Sequence, residues 1–216
     1  MNSSADLKNS PPLTRRVVMI GAAASIGSKS MIGQAFAAGL TPRAAEGPFY
    51  PTPEMRFSDR DNDLVKIVGL VKSAGGEVIT LKGQVQATDG TPREGYRVEI
   101  WQCDVNGKYL HSGDGQNVEY DDGFQGFGHD ITGTQGGYSF RTIKPTQYPG
   151  RTPHIHVKVF DASGQEVLTT QFYIAGHSQN GRDSLFRRMT NAQKKDVSMV
   201  FENEGENSVT TINIIV

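Results

Sequence analysis

Short runs in which apolar and polar residues alternate recur along most of the chain. They are "LVKIVGLV" (64–71), "EVITLKGQVQA" (77–87), "YRVEIWQC" (96–103), "GYSFRTI" (137–143), "PHIHVKVF" (153–160), "EVLTTQFYI" (166–174) and "SVTTINIIV" (208–216). A period of two puts alternate side chains on opposite faces, so each run predicts a short strand. Turn chemistry separates the runs, as in "DGTP" at 89–92, "NG" at 106–107 and "DASG" at 161–164. Only 182–199, "RDSLFRRMTNAQKKDVSM", carries a weak helical period. The pattern predicts an all-β fold, an antiparallel β-sandwich with long loops and at most one short helix. Without an internal repeat, one domain is expected over residues 38–216.

Composition narrows the class. The 216 residues carry a net charge of -1, which gives no electrostatic case for nucleic acid or an anionic membrane. Twenty-five glycines and ten prolines suit a turn-rich β architecture. The single cysteine, Cys103, excludes an internal disulfide and any multi-cysteine metal site. At the N-terminus, "TRRVVMIGAAASIG" sets Arg15 and Arg16 before an apolar stretch, and "AFA" follows at 35–37. Residues 1–37 therefore read as a twin-arginine-type export signal. The apolar stretch is too short to span a bilayer, so the expectation is a soluble periplasmic or secreted product without membrane insertion after export. The segment 41–63 is rich in Pro, charge and aromatics and reads as an ordered arm. Its "DRDND" opens like a calcium loop, but Leu64 and Leu70 stand where that loop needs glycine and glutamate, so calcium is rejected.

The segment "QYPGRTPHIHVKV" concentrates the chemistry. His154 and His156, two apart on a strand, leave one face together as a two-toothed ligand. On its own a His-x-His pair reads more readily as hydrogen-bonded histidines on a solvated face, so a metal needs further ligands. A three-histidine zinc site has no specific support, since His111, His129 and His177 sit in glycine-rich loops without matching spacing. Tyr148, six residues ahead, and Tyr109, just past the Asn-Gly turn, are the better additional candidates. Phenolate is a hard oxygen donor that protonates near pH 10, so a strongly charged cation such as Fe(3+) is needed to hold it. Two phenolates and a hydroxide cancel three positive charges, and two neutral imidazoles complete a set that can be buried without net charge.

At this point the sequence resembles the intradiol ring-cleavage dioxygenases, which open catechols between the two hydroxyls. The resemblance rests on "EGPFYP" (46–51), "VEIWQCDVNGKYLHSG" (98–113), "GYSFRTIKPTQYPGRTPHIHVKV" (137–159) and "LTTQFYIAG" (168–176). It implies a β-sandwich, ferric iron held by Tyr109, Tyr148, His154 and His156, and catalytic roles for Arg151, Gln171 and Tyr148. It also implies a catechol-type substrate and O2, both oxygen atoms entering a muconate-type product, with homo-oligomers left open. Tyr148 is the ligand implied to leave when catecholate binds, and Arg151 and Gln171 are implied to stabilise charge developing on the ring. Two departures stand out. Only Pro149 and Gly150 separate Tyr148 from Arg151, and the helical N-terminal region of catechol-type members is absent. The chain is thus closer to a protocatechuate-type subunit. The competing readings are a non-catalytic β-sandwich binding module and a zinc hydrolase using the His-x-His pair.

Overall fold

The computed structural model describes residues 38–216; the expected export signal at 1–37 lies outside the described residues. Ten strands follow in chain order: β1 (Val78–Gln86), β2 (Arg97–Trp101), β3 (Phe127–Ile131), β4 (Gly137–Ile143), β5 (His154–Phe160), β6 (Glu166–Ile174), β7 (Ser198–Met199), β8 (Phe201–Glu204), β9 (Asn207–Thr211) and β10 (Ile214–Ile215). They form two five-stranded sheets. In the first, β1 pairs antiparallel with β4 and parallel with β9 and β10, and β8 pairs with β9. The second runs β3-β2-β5-β6-β7 and is antiparallel except for the short β6–β7 pair. The expected β-sandwich is present, with parallel pairs among the antiparallel ones.

The core between the sheets follows from strand alternation. Ile79, Leu81 and Val85 of β1 and Phe140 of β4 belong to the same buried cluster as Val98 and Ile100 of β2, Ile155, Val157 and Val159 of β5, and Leu168 and Phe172 of β6. Burying each such aliphatic side chain contributes roughly 1.5–3 kcal/mol before entropy is counted. The opposite face of the second sheet is buried as well, since His154, His156 and Lys158 of β5 are each less than 5% exposed. What covers that face is the arm preceding β1 together with long loops, and this is where the site lies.

The elements depart from the sequence pattern in several places: β8 is an added strand, and the run at 208–216 divides into β9 and β10. Residues 64–71 form turns rather than a strand; Asp59 and Asp63 accept the backbone N–H groups of Val68 and Val65 that a ladder would need, and Asp61 accepts that of Asp63 just ahead of them. Their carboxylates are thereby committed to the chain itself. Strand β3 was not expected, since "FGHDI" offers a single large buried hydrophobe, Phe127, at its start. The one helix expected over 182–199 is instead two, α1 (Ser184–Arg188) and α2 (Asn191–Asp196), followed by β7. Met189 and Thr190 are extended, and the Thr190–Gln193 capping box starts a new helix instead of continuing the old one.

Candidate metal centre

The pleat of β5 sends Ile155, Val157 and Val159 into the core and His154 and His156 to the covered face. Register supplies the neighbours. Trp101 of β2 and Gln171 of β6 pair with His156 on either side, and Tyr173 pairs with His154. The Trp101 indole stacks on the His156 ring at 4.7 Å and 13°, fixing its plane. His154 Nδ1 donates to the Thr152 carbonyl at 2.7 Å, which leaves its Nε2 as a free acceptor.

Two loops deliver the phenols. Asp114 accepts the Tyr109 backbone N–H at 2.8 Å, and Phe49 of the arm stacks on the Tyr109 ring at 4.8 Å. Gly107, at φ +79°, makes the turn before Tyr109, and a Cβ there would meet the Gln147 carbonyl at 2.8 Å. Its lack of a side chain lets the Tyr109 loop approach the Tyr148 loop. Tyr148 to Arg151 forms a β-turn with Pro149 second and Gly150 third at φ +82°, closed by Arg151 N donating to Tyr148 O at 3.3 Å. The turn places the Tyr148 ring 5.2 Å from that of Tyr109 and 5.6 Å from that of His154.

The donor atoms converge. His154 Nε2 lies 3.1 Å from His156 Nε2, which lies 3.1 Å from Tyr109 Oη. Donors about 2 Å from a shared ion, roughly at right angles, stand about 3 Å apart, so this spacing fits a metal. Burial favours the uncharged forms. It depresses His154 to about 4, helped by the Arg151 charge, and holds His156 well below its ordinary value. Burial also pushes the Tyr109 and Tyr148 phenols up, for Tyr148 against the opposing pull of Arg151. Neutral imidazoles and phenols are what a dry site holds, and a cation is what deprotonates such phenols. Among the described residues, no group of three His, Cys, Asp or Glu side chains gathers to hold a metal. The side-chain oxygens that stand beside the two histidines are the phenols of Tyr109 and Tyr148.

Arg151 and Gln171 sit beside this cluster. Arg151 Nη2 donates to Gln171 Oε1 at 2.7 Å, and Nη1 reaches Tyr148 Oη at 3.4 Å. Gln171 Oε1 also accepts Tyr173 Oη at 2.8 Å, while Nε2 donates to Ala45 O at 3.0 Å. All six site residues named from sequence are thus brought together. Sequence reasoning missed Tyr173, Asp183, Phe49 and Trp101. Asp183 carries the one signal that could have found it, as an N-cap type residue opening the 182–199 segment. A cavity of about 360 Å³ adjoins Gln171 and Tyr173, walled by Ala45, Leu185 and Met189.

The arm is fastened over the site by a second polar cluster. Tyr50 Oη donates to Glu99 Oε2 at 2.6 Å, and Lys158 pairs with Glu46 beneath the Tyr50 ring. Arg56 lies over the Phe127 ring at 3.9 Å.

A two-sheet sandwich with paired tyrosines and a His-x-His strand defines a class, and comparison with known proteins gives the same one. A family model described as Dioxygenase matches residues 45–208. The protocatechuate 3,4-dioxygenase beta chain of Burkholderia cepacia is 34% identical over 59% of this chain and 57% of its own length. The hydroxyquinol 1,2-dioxygenase of Nocardioides simplex is 34% identical over 65% of this chain and 49% of its own. This chain thus spans about half of these curated relatives. Among solved structures, the dioxygenase domain of a dioxygenase carbohydrate-binding protein fusion from Streptomyces sp. SirexAA-E is similar at TM-score 0.63 and 32% identity, covering 82% of this chain and 98% of that one. The chain belongs to the intradiol ring-cleavage dioxygenase family. Iron is the metal of that family.

Proposed function

We propose that this protein is a ferric, non-haem intradiol dioxygenase that opens a catechol-type ring between its two hydroxyls and incorporates both atoms of O2. The observation that carries the reading is the convergence of Tyr109 Oη, His154 Nε2 and His156 Nε2 at 3.1 Å separations beside Tyr148 and Arg151. Tyr109, Tyr148, His154 and His156 would hold the iron. When bound, Fe(3+) draws electron density from a chelated catecholate and makes the ring reactive toward O2.

The remaining chemistry is that of side chains. Tyr148, half-buried on a two-residue turn, can swing away without moving a strand, and its Oη can take a hydroxyl proton from the substrate. Arg151 Nη1 already faces that oxygen and can hold it once it has moved. Tyr109 and the two histidines stay, held by Asp114, the pleat and the stacked rings of Phe49 and Trp101. Arg151 and Gln171 meet charge developing on the ring, and one such donor is worth roughly 2–4 kcal/mol of barrier. The zinc-hydrolase reading lacks a third histidine or carboxylate, as no such group of three gathers among the described residues.

The export reading rests on Arg15 and Arg16 ahead of an apolar stretch, and gives a mature protein outside the cytoplasm. The test of activity is incubation of the iron-loaded protein with catechol, hydroxyquinol and protocatechuate under ¹⁸O2. The expected product is a ring-opened diacid carrying two labelled oxygens. Absence of ring opening with all three, at full iron loading, would refute the reading for these substrates.

A further inference from the structure

We infer that Asp183 is a positioning residue for the reaction, acting through Arg151; the inference rests on the dioxygenase reading above. Asp183 is 1% exposed, and its carboxylate divides its work between two oxygens. Oδ1 accepts the backbone N–H groups of Leu185 at 2.9 Å and Phe186 at 3.1 Å, capping α1. That oxygen alone is enough for a helix cap. Oδ2 is committed elsewhere, accepting Arg151 Nε at 2.7 Å and Thr152 N at 3.1 Å.

The guanidinium is a rigid plane, so fixing Nε fixes where both terminal nitrogens point. With Nε on Asp183 and Nη2 on Gln171, Nη1 is left facing Tyr148 Oη. Without Asp183 the guanidinium can turn about its stem, held only by Nη2 on Gln171 Oε1 and by the long 3.4 Å contact of Nη1 with Tyr148 Oη. Charge points the same way. Burial opposes ionisation of both partners, yet Asp183 is held below the ordinary carboxylate range by Arg151, and Arg151 is held above its own ordinary value by Asp183. The pair is therefore ionised and internally neutral, so it adds no net charge beside the metal centre. Helix α1, distant in sequence from the ligands, thereby sets the orientation of the group that meets the reacting ring.

The experiment compares Asp183→Ser and Asp183→Asn with the parent, all loaded with ferric iron, and repeats Asp183→Ser in an Arg151→Ala background. Serine keeps a side-chain acceptor for α1 but is too short to reach Arg151. Iron content, the visible spectrum and the anaerobic dissociation constant for catechol should stay within about twofold of the parent, while kcat per bound iron falls roughly 10- to 100-fold. In the Arg151→Ala background the same change should lower kcat per iron by less than about twofold, because the group it positions is gone. The inference is overturned if kcat per iron is unchanged in both single variants, or if the full loss reappears without Arg151. It is equally overturned if neither variant keeps its iron, since the carboxylate is then a structural cap. A parent that cleaves no catechol at all is a different result, and refutes the dioxygenase reading itself.

Discussion

His154 and His156 sit 1% and 2% exposed, the His156 ring stacked on Trp101 and the His154 ring tilted against Tyr148 and Tyr173, and burial keeps both neutral. In the unfolded chain a histidine titrates near 6.5. Between that value and about 4 the unfolded chain binds a proton at His154 that the iron-free native protein does not. The folded value is depressed, so this contribution is full above pH ~6.5 and is lost as pH falls toward the folded value. Denaturant unfolding of the iron-free protein from pH 7 to pH 4 should show a loss on the order of 3 kcal/mol from His154, with His156 adding to it. Flat stability across that range would contradict the neutral, buried pair. The ligands should also separate by role. His156→Ala should lose most of its iron, because it removes a rigid nitrogen at the centre of the 3.1 Å cluster. Tyr148→Phe should keep part of its iron on three remaining ligands while turnover falls at least tenfold, since a proton acceptor and a compensating charge are gone. Metal analysis alongside initial rates distinguishes the two.

At the scale of elements, one strand serves both the core and the site. The alternation of β5 was readable in "HIHVKV", and so was the turn that joins Tyr148 to Arg151. Those two local signals brought four site residues into view. Tyr109 is marked by its place just past the Asn-Gly turn, whereas Gln171 rests on the resemblance alone, since a polar residue on β6 does not announce itself by spacing. Tyr173 and Trp101 are not legible, because each reaches the site through pairing between strands far apart in sequence, and Asp183 is legible as a helix cap but not as a partner of Arg151. The false strand at 64–71 has the same origin. Its apolar character is real, with Leu64, Val65 and Ile67 buried, but Asp63 and Asp59 take the backbone donors of Val65 and Val68. The covering arm is the element most open to test. Tyr50→Phe leaves Glu99, 3% exposed, with Arg97 at 3.0 Å and no phenol donor. It should lower unfolding free energy by about 1–3 kcal/mol with iron content retained. Gly107→Ala should act differently, separating the two phenol-bearing loops. Its φ of +79° and the clash with the Gln147 carbonyl predict weakened iron binding together with lost stability. Equal iron affinity in Gly107→Ala, measured by chelator competition, would contradict that role.

Across the whole molecule, charge balance organises the account. The described cluster is neutral before metal binding, with uncharged imidazoles and phenols beside an Arg151–Asp183 pair. Deprotonating Tyr109 and Tyr148 offsets two of the three charges of a ferric ion, and hydroxide or substrate offsets the rest. Among the described residues no helix is long and apolar enough to cross a membrane. The export proposal is tested by replacing Arg15 and Arg16 with lysine, after which precursor should accumulate in the cytoplasm; undiminished export by the twin-arginine route would contradict it. If two phenolates from this chain bind one ferric ion, the visible absorption spectrum of the iron-loaded protein must show it. Phenolate-to-ferric charge transfer predicts a red to burgundy protein at about one iron per chain, with the band altered by anaerobic catechol and diminished in Tyr109→Phe. A colourless protein that carries stoichiometric zinc, or stoichiometric iron without a visible band, would contradict it.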